Sequence, residues 1–446
     1  MSRRYFGTDG VRGRVGETPL TVDFALRLAS AAARALVPNG GKVLVGKDTR
    51  LSGYMFEAAL EAGFVAAGVD VLMIGPLPTP GIAYLTKKFE CDVGVVISAS
   101  HNLYEDNGIK FFDGQGGKLT DAAEAEIERY LEEAPITRQS PQLGSARRVD
   151  KSRVLYQQFC CSTIPSDITL AGLKIVIDCA HGAGYKVAPR TLMDLGAEVI
   201  PIGCSPNGRN INLNCGSTAP QLLQMMVPGV QADLGIALDG DGDRLVMVDD
   251  TGQLIDGDQL LYIVARARHA AGTLAGPVVG TVMSNLGLEQ ALDKEGIGFR
   301  RAKVGDRYVL ELMRESGSVL GGETSGHLLC LDKTTTGDAL VSALQVLAIM
   351  RQSGQSLAAL AAPMPKYPQI LENVRVAKKI DVNASHLIQG AVRQAEVRLN
   401  GAGRVVLRPS GTEPVVRVMV EGREEALVRQ LAQELAQSVA AAAKQS

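Results

Sequence analysis

The sequence lacks any long apolar run and any excess of charge of one sign. No stretch reaches the roughly 18 apolar residues of a membrane-spanning helix, and no signal-peptide core follows Arg3 and Arg4. Lys and Arg together number 46 and Asp and Glu 48, so the formal net charge is −2. That balance offers no broad cationic face for nucleic acid or for an anionic membrane. We therefore expect a cytoplasmic protein without nucleic-acid or membrane partners, in which local sites hold any anionic ligand.

Disulfide, zinc and nucleotide-binding patterns are also missing. The seven cysteines are odd in number and scattered without C-x-x-C spacing, which argues against a disulfide framework and a zinc site. Gly41-Lys42 is followed by Val43 and so is no P-loop, and no strand-linked G-x-G-x-x-G is present. We expect free thiols, several of them buried, in a reducing compartment.

One pattern recurs along the chain: a short apolar run, a loop rich in Gly, Ser, Asp or Thr, and a helical-looking segment. With 446 residues, 46% of them hydrophobic, the chain can form about three globular domains. Short apolar runs that alternate with helices predict βαβ units and largely parallel sheets. Loops after such strands gather at one edge of a sheet, where α/β proteins bind ligands. These loops are residues 46–50, 98–102, 181–184, 239–244, 284–285 and 321–327.

Two segments predict domain boundaries. Residues 132–144 contain Pro, Ser and Gln and have the composition of a linker, and residues 363–368 contain three prolines, which predict a hinge. Beyond the hinge, apolar runs at 370–376, 405–407 and 415–420 accompany a helical segment. They predict a small C-terminal α+β domain.

The strongest local signal is a run of three aspartates that alternate with glycines and precede an arginine. The backbone freedom of glycine lets Asp239, Asp241 and Asp243 converge on one hard cation such as Mg²⁺ or Ca²⁺. An EF-hand is excluded, because its sixth position requires Gly and its twelfth Glu, where this chain has Arg244 and Asp250. The alternative is a solvated acidic turn between two strands. Arg244 suits a phosphate oxygen held next to the metal.

Two further loops carry polar groups of lower specificity. Ser100 and His101 follow an apolar run and could form a nucleophile beside its base, although a helix cap or a turn would use the same residues. Residues 408–414, with Arg417 nearby, combine a guanidinium, two hydroxyls and a glycine, as an anion cradle requires. The alternative for the second loop is a polar hairpin turn between two strands.

A glycine-flanked loop follows the short apolar run at residues 319–320. Its side chains Glu323, Ser325 and His327 offer acceptors and donors that suit sugar hydroxyls. The alternative is a turn with a satisfied surface histidine.

Together these four loops resemble the signature of the α-D-phosphohexomutase superfamily. That superfamily has, in this order, a phosphoserine loop, a metal loop of D-G-D-G-D-R type, a G-E-x-S-G sugar loop and a C-terminal phosphate loop. The resemblance extends through nearly the whole chain, although Thr324 stands where the branch that acts on glucosamine phosphates commonly has Gln. The four corresponding loops are residues 98–102, 239–244, 322–326 and 408–413. Segments that resemble the glucosamine-phosphate branch are residues 5–13, 210–212, 215–218, 301–309 and 335–338.

The resemblance implies four domains around one central cleft, each contributing a loop. Three would be similar α/β domains with mixed, largely parallel sheets, and the fourth a smaller C-terminal α+β domain. We expect the domains at residues 1–150, 151–252, 253–365 and 366–446, which carry the phosphoserine, metal-binding, sugar-binding and phosphate-binding loops respectively. The resemblance also suggests a homodimer.

The resemblance further assigns roles to residues by their position. Ser100 would carry the phosphoryl group and, with Asp239, Asp241 and Asp243, hold one Mg²⁺ per active site. Lys110 and His327 would be the candidate proton carriers, and Arg12 and Arg244 the remaining catalytic residues. The residues implied to bind the substrate are Thr8, His101, Glu323, Ser325, Arg408, Ser410, Gly411, Thr412 and Arg417.

The implied reaction interconverts glucosamine 6-phosphate and glucosamine 1-phosphate. Phospho-Ser100 would give its phosphoryl group to the sugar, glucosamine 1,6-bisphosphate would turn round in the cleft, and its other phosphate would return to Ser100. The product would feed UDP-N-acetylglucosamine and cell-wall precursor synthesis. Three alternatives stay open: a mutase for mannose or glucose phosphates, a metal-dependent phosphatase with Asp239 as nucleophile, and a non-catalytic sugar-phosphate sensor.

Overall fold

The computed structural model describes residues 4–7, 9–376, 381–409 and 414–445, with residues 444 and 445 described by their backbone alone. The described strands form four separate sheets that follow one another along the chain. Among the described helices, none combines the length and the apolar character needed to cross a bilayer.

The first domain is built on a six-stranded sheet with the strand order β1-β5-β4-β2-β3-β6. Strands β2, β3, β4 and β6 run parallel, whereas β5 is antiparallel to its neighbours β4 and β1. A short 3-10 helix at Ser140–Gln142 lies in the predicted linker before β6. The elements are β1 Val11–Arg14, α1 Val22–Leu36, β2 Lys42–Lys47, α2 Ser52–Ala66, β3 Asp70–Pro76, α3 Thr79–Lys88, β4 Val93–Ile97, β5 Asp106–Asp113, α4 Asp121–Leu131 and β6 Ala146–Arg148.

The second domain has a five-stranded sheet with the order β11-β10-β9-β7-β8. The expected boundary after residue 252 lies inside this sheet, because β11 pairs with β10 and extends the sheet to Ile255. The elements are α5 Ser152–Ser162, β7 Lys174–Asp178, α6 Val187–Asp194, β8 Glu198–Ile202, α7 Gln221–Gly229, β9 Leu234–Leu238, β10 Leu245–Asp249 and β11 Leu254–Ile255.

The third domain has a four-stranded sheet with the order β13-β12-β14-β15, in which only the hairpin partner β15 is antiparallel. Its longest helix, α11, begins after Asp338, whose carboxylate accepts the Val341 N–H as a helix cap. The elements are α8 Gly257–Ala270, β12 Val278–Thr281, α9 Leu286–Lys294, β13 Phe299–Ala302, α10 Asp306–Ser316, β14 Leu320–Gly322, β15 Leu328–Cys330, α11 Ala339–Ser353 and α12 Leu357–Ala361.

The fourth domain has a three-stranded antiparallel sheet with the order β16-β18-β17, covered by two helices. Three α/β domains and a smaller antiparallel α+β domain confirm the fold expected from the sequence. The elements are β16 Gln369–Arg375, α13 His386–Leu399, β17 Gly403–Pro409, β18 Val415–Gly422 and α14 Glu425–Gln445.

One apolar core crosses the boundaries between the first three domains. It joins Ile82 of α3, Tyr156 of α5, Leu245 of β10 and Leu344 of α11, all of which are inaccessible to solvent. The fourth domain has its own core between α14 and its sheet. Since burial of apolar surface is the main driving force for packing, the first three domains form one continuous frame for the loops at their strand ends.

Gly326 joins the loop that follows β14 to strand β10 of the second domain. Its carbonyl accepts the Leu245 N–H at 3.0 Å, and its φ of +91° lies in the region that favours glycine. A Cβ at this position would lie 1.9 Å from the Leu245 carbonyl oxygen, so that a side chain cannot be added without moving backbone.

We predict that Gly326→Ala destabilises the protein by about 2–4 kcal/mol, from left-handed backbone strain and overpacking together. Gly272→Ala is the matched control, because Gly272 also has a positive φ, +67°, but a Cβ there meets nothing within 4 Å. Thermal unfolding of both variants measures the difference. Equal losses of Tm would contradict a tight contact between the loop and β10.

Candidate active site

Ser100 lies immediately after β4 and faces the loop that follows β9. Its hydroxyl donates to Asp239 Oδ2 at 2.7 Å, and its backbone N–H donates to Ser98 Oγ at 2.9 Å. The residue is 1% exposed and has a φ of +52°, which is uncommon for a non-glycine residue. The two loops come from different domains, and they meet because both follow the carboxyl ends of central strands.

The three alternating aspartates converge as predicted. One carboxylate oxygen from each of Asp239, Asp241 and Asp243 lies within 4.8 Å of the others. Burial, together with the Asp243 and Asp241 carboxylates, raises the pKa of Asp239 well above its ordinary value. Asp241 Oδ1 and Asp243 Oδ1 are buried without a hydrogen-bond partner. Buried, unpartnered carboxylate oxygens fit a hard divalent cation, so the donor set can hold a metal.

Lys110 lies on β5, and its ammonium group contacts one carboxylate of the triad. Its ammonium is 2.9 Å from Asp241 Oδ2 and 2.8 Å from Asp9 Oδ2. Burial would lower the pKa of Lys110, but the Asp241 and Asp9 carboxylates outweigh burial and raise it. Burial would likewise raise the pKa of Asp241, but Lys110 and the Thr79 hydroxyl outweigh burial and lower it. Lys110 is therefore held as an ammonium ion.

A series of alternating charges continues from Lys110 to the third domain. Lys118 contacts Asp9 at 2.7 Å and also pairs with Asp306, at the start of α10. Asp306 lies 3.6 Å from His327 Nε2, and His327 Nδ1 lies 3.7 Å from Asp243 Oδ2. The series begins and ends on the acidic triad and connects the first domain to the third.

The two histidines of the site differ in charge. Burial would lower the pKa of His327, but the Asp243 and Asp306 carboxylates outweigh burial and raise it to about 9. His101, whose Nδ1 lies 3.4 Å from Ser100 Oγ, has its pKa lowered to about 4 by burial and by the nearby guanidinium of Arg244. At neutral pH His327 is therefore an imidazolium and His101 a neutral imidazole.

The loop that follows β14 presents one carboxylate to the same space. Glu323 Oε1 accepts the Gly305 N–H at 2.9 Å, and Ser325 is exposed. Thr324 turns away from the cavity, since its hydroxyl donates to the fully buried Asp258 at 2.8 Å. Thr324 thus fixes this loop to the first turn of α8 through Asp258.

Arg408 and Arg417 lie opposite each other on β17 and β18. Burial and the Arg417 charge lower the pKa of Arg408, which Glu323 partly opposes. Like charges placed directly opposite on neighbouring strands are destabilising, so this pair is suited to an anion. Four of the expected site residues lie outside the described residues: Thr8, Ser410, Gly411 and Thr412.

A cavity of about 710 Å³ lies where the first three domains meet. This volume is typical of small-molecule sites. Charged groups of both signs line it, as a phosphorylated polar ligand requires. Residues that line it include Arg12 and Ser100 of the first domain, Asp243 and Arg244 of the second, and Glu323 and His327 of the third.

Four charged residues of the site had no assigned role in the sequence. Asp9 and Asp306 lie inside the segments 5–13 and 301–309, in which the resemblance assigns no role to either residue. Lys118 gave no local signal. Arg50 ends the loop after β2 and is fully buried, where its guanidinium is paired with Asp48 at 2.9 Å. Its place in the polar loop at residues 46–50 is a local signal, but that signal does not indicate its partners.

Models of the phosphoglucomutase/phosphomannomutase family match the chain in four consecutive segments. The α/β/α domains I, II and III match residues 3–137, 155–252 and 256–367, and the C-terminal domain matches residues 371–438. A phosphoglucosamine mutase from Nitrosococcus oceani is 56% identical, with 99% of this chain and 98% of that protein covered. One from Methylobacillus flagellatus is 57% identical, with 98% of each covered.

Solved structures agree on the fold. A phosphoglucomutase/phosphomannomutase family protein from Burkholderia thailandensis has a TM-score of 0.81 at 25% identity, with 98% of this chain and 97% of that chain covered. An N-acetylphosphoglucosamine mutase from Aspergillus fumigatus, in complex with GlcNAc-6P and magnesium, has a TM-score of 0.71 at 19% identity, with 99% and 96% covered.

The fold and the serine–carboxylate site therefore define a phosphohexomutase, an isomerase that moves a phosphoryl group within a sugar phosphate. Members of this class are metal-dependent, and the buried triad has the geometry to hold a metal. Because its relatives share more than half of their residues with it over nearly their whole length, the chain belongs to the phosphoglucosamine mutase family.

Asp258, whose carboxylate accepts the Thr324 hydroxyl of the loop after β14, should make stability depend on pH. Burial, and then the nearby Asp256 carboxylate, raise the pKa of Asp258 to about 7. A carboxyl with a raised folded pKa stabilises the fold while it is protonated, and this contribution is lost as the pH rises from about 4 through 7.

We predict that Asp258→Asn increases the free energy of unfolding at pH 8 by at most about 4 kcal/mol, and so raises Tm above that of the unmodified protein. The gap should narrow as the pH falls toward 5, where the native side chain is protonated. Asp293→Asn, at an exposed position of the same domain, is the control. A gap that does not change with pH would contradict the assignment of this carboxyl as the titrating group.

Proposed function

We propose that the protein interconverts glucosamine 6-phosphate and glucosamine 1-phosphate through phospho-Ser100. The observation that carries this proposal is the 2.7 Å hydrogen bond from the Ser100 hydroxyl to Asp239, inside a buried triad of carboxylates. The high identity to named phosphoglucosamine mutases supports the choice of sugar. Glucosamine 1,6-bisphosphate is the proposed intermediate and also primes the serine.

In the first half-reaction the bond between Ser100 Oγ and phosphorus breaks, and the C1 hydroxyl oxygen of the sugar forms the new bond. The C6 phosphate of the bisphosphate then returns to Ser100 Oγ. We assign the metal ligands as Ser100, through its phosphate, and Asp239, Asp241 and Asp243. Mg²⁺ is the proposed ion, and when bound it neutralises charge on the phosphoryl oxygens.

The proton of the attacking hydroxyl needs an acceptor, and the serine oxygen needs a donor. Lys110 Nζ and the His327 imidazole are the proposed carriers. Neighbouring carboxylates raise the pKa of both groups, so each starts as the acid. Either group becomes a base only after it has delivered its proton.

The remaining charged side chains hold the substrate. Glu323 and Ser325 orient the sugar hydroxyls, and Arg408 and Arg417, together with residues 410–412, hold the phosphate that does not react. A guanidinium pair can accept either phosphate of the turning bisphosphate, because it binds the anion and not the sugar. Thr8 and His101 complete the proposed binding set. Arg12 and Arg244 stabilise charge on the transferring group.

The resemblance to the phosphohexomutase superfamily also supports a proposal for the biological setting. We propose a cytoplasmic homodimer. Its proposed domains are residues 1–150, 151–252, 253–365 and 366–446, with the boundary after residue 252 moved to the end of β11 at Ile255. Its product would feed UDP-N-acetylglucosamine and cell-wall precursor synthesis.

The proposed function predicts that kcat/KM for glucosamine 6-phosphate exceeds that for glucose and mannose 6-phosphates by about tenfold or more, the ratio that 1.4 kcal/mol of differential binding gives. Mg²⁺ and the matching bisphosphate are present throughout, and phosphorus NMR follows both the 1-phosphate and free phosphate.

Ser100→Ala should lower turnover by about 10⁴-fold or more, because it removes the phosphoryl carrier. Ser140→Ala, at an exposed serine of the same domain, is the control.

Each contrary outcome has its own meaning. A preference for glucose or mannose would keep the serine chemistry and overturn the sugar assignment. Free phosphate without isomerisation would favour the phosphatase. Full activity of Ser100→Ala would refute the covalent scheme.

A further inference from the structure

The backbone of Ser100 is held in a conformation that serine rarely adopts. A φ of +52° is sparsely populated for a residue with a side chain and costs of the order of 1 kcal/mol or more. Such a conformation persists only where surrounding contacts determine it. Those contacts therefore decide where the serine hydroxyl points.

Three side chains hold this backbone: Ser98 Oγ accepts the Ser100 N–H, and two other side chains donate to the same pair of carbonyl groups. Arg50 Nη2 donates to the Ser100 carbonyl at 3.0 Å and to the Asn102 carbonyl at 2.8 Å. Asn212 Nδ2 donates to the same two carbonyls at 2.8 Å and 2.9 Å. An amide group that faces two carbonyl oxygens has to present its NH₂, so the orientation of the Asn212 side chain is fixed.

The two donors belong to different domains. Arg50 follows β2 in the first domain, like Ser100 itself, whereas Asn212 belongs to the second. Asn212 is 5% exposed, and its own N–H donates to the Ala180 carbonyl at 2.9 Å, which ties it to the frame of the second domain. The Asn212 amide therefore connects the serine loop to a domain from which the metal loop also comes.

The metal loop passes through the same point. A Cβ added at Gly240, between Asp239 and Asp241, would lie 2.6 Å from Asn212 Nδ2 and 2.6 Å from the Ser100 carbonyl oxygen. The serine loop, the metal loop and the Asn212 amide are thus in contact, with no room for a side chain between them. A shift of Asn212 would change the position of Ser100 relative to the triad.

We propose that Asn212 is a positioning residue, which fixes the Ser100 backbone across the domain boundary so that the hydroxyl faces the acidic triad. It touches neither the hydroxyl nor the carboxylates and acts through the two carbonyls. This inference rests on the proposed role of Ser100 but not on the identity of the sugar. Positioning matters in this chemistry, because a misplacement of about 1 Å can cost about 10²-fold in rate.

The test compares Asn212→Ala and Asn212→Asp with Asn210→Ala. Both Asn212 variants remove the two donated bonds. Alanine leaves their space empty, whereas aspartate keeps the volume but turns an acceptor towards the two carbonyl oxygens. Both carbonyls retain their bonds to Arg50, so the loop stays satisfied and the fold should survive. Asn210 lies in the same loop, but its amide donates to the Ser205 carbonyl at 3.1 Å, within that loop.

We expect kcat to fall by about 10²-fold in both Asn212 variants, with KM close to that of the unmodified protein, and no such fall in Asn210→Ala. Tm should fall in both Asn212 variants, because alanine is strained at the φ of +58° and aspartate buries a charge that faces two carbonyl oxygens. All rates are therefore measured well below each Tm, and Asn214→Ala, at an exposed position of the same loop with a φ of +52°, is the control for backbone strain. Steady-state rates use whichever hexose 6-phosphate is turned over best. Amide hydrogen exchange of the metal-free protein should be faster across residues 98–106 in the Asn212 variants alone. This second readout does not depend on turnover.

Three outcomes would overturn the inference. The first is an unchanged kcat, and the second is a loss of kcat in Asn214→Ala as large as that in Asn212→Ala. The third is unchanged exchange across residues 98–106. Should Ser100→Ala prove active, the proposed chemistry fails, whereas the exchange measurement still decides whether Asn212 holds the loop.

Discussion

Three carboxylates confined within 4.8 Å of one another, each less than one-tenth exposed, are the constraint on which the site depends. Repulsion between like charges grows as water is excluded, so the surrounding residues have to compensate it. Lys110 compensates Asp241 from one side, and the imidazolium of His327 approaches Asp243 from another. Two carboxylate oxygens still lack a partner, which is the remaining demand that a divalent cation meets.

The same charges also connect the domains that the shared apolar core holds together. Asp9 and Lys118 of the first domain and Asp306 of the third continue the alternation of charge that begins at Lys110. Domain contacts and the electrostatics of the site are therefore linked, because moving the third domain would break the Lys118–Asp306 and His327–Asp243 pairs. A hydrogen-bonded contact, Asn212 on the serine loop, adds the geometric precision that charge alone does not provide.

The sequence predicted the parts of this site that are local in the chain. Alternating aspartates and glycines indicated the triad, and apolar runs followed by polar loops indicated the sheets, because both patterns depend on neighbours in sequence. Asp9, Lys118, Arg50 and Asn212 could not be assigned in the same way. Their roles arise from partners 50 to 188 positions away, as between Arg50 and Ser100 or Lys118 and Asp306. The second sheet ends at Ile255 because it includes the two-residue strand β11, which no sequence pattern indicates.

Thermal unfolding in the presence and absence of Mg²⁺ tests the central claim most directly, that the buried triad carries charge which a cation has to neutralise. A ligand that binds the folded state stabilises it, by about 2.7 kcal/mol at a hundredfold excess over its Kd. Mg²⁺ should therefore raise the Tm of the unmodified protein above its value in EDTA, and Asp243→Asn should reduce that rise. An equal Tm with and without Mg²⁺, or a rise that persists fully in Asp243→Asn, would contradict the account.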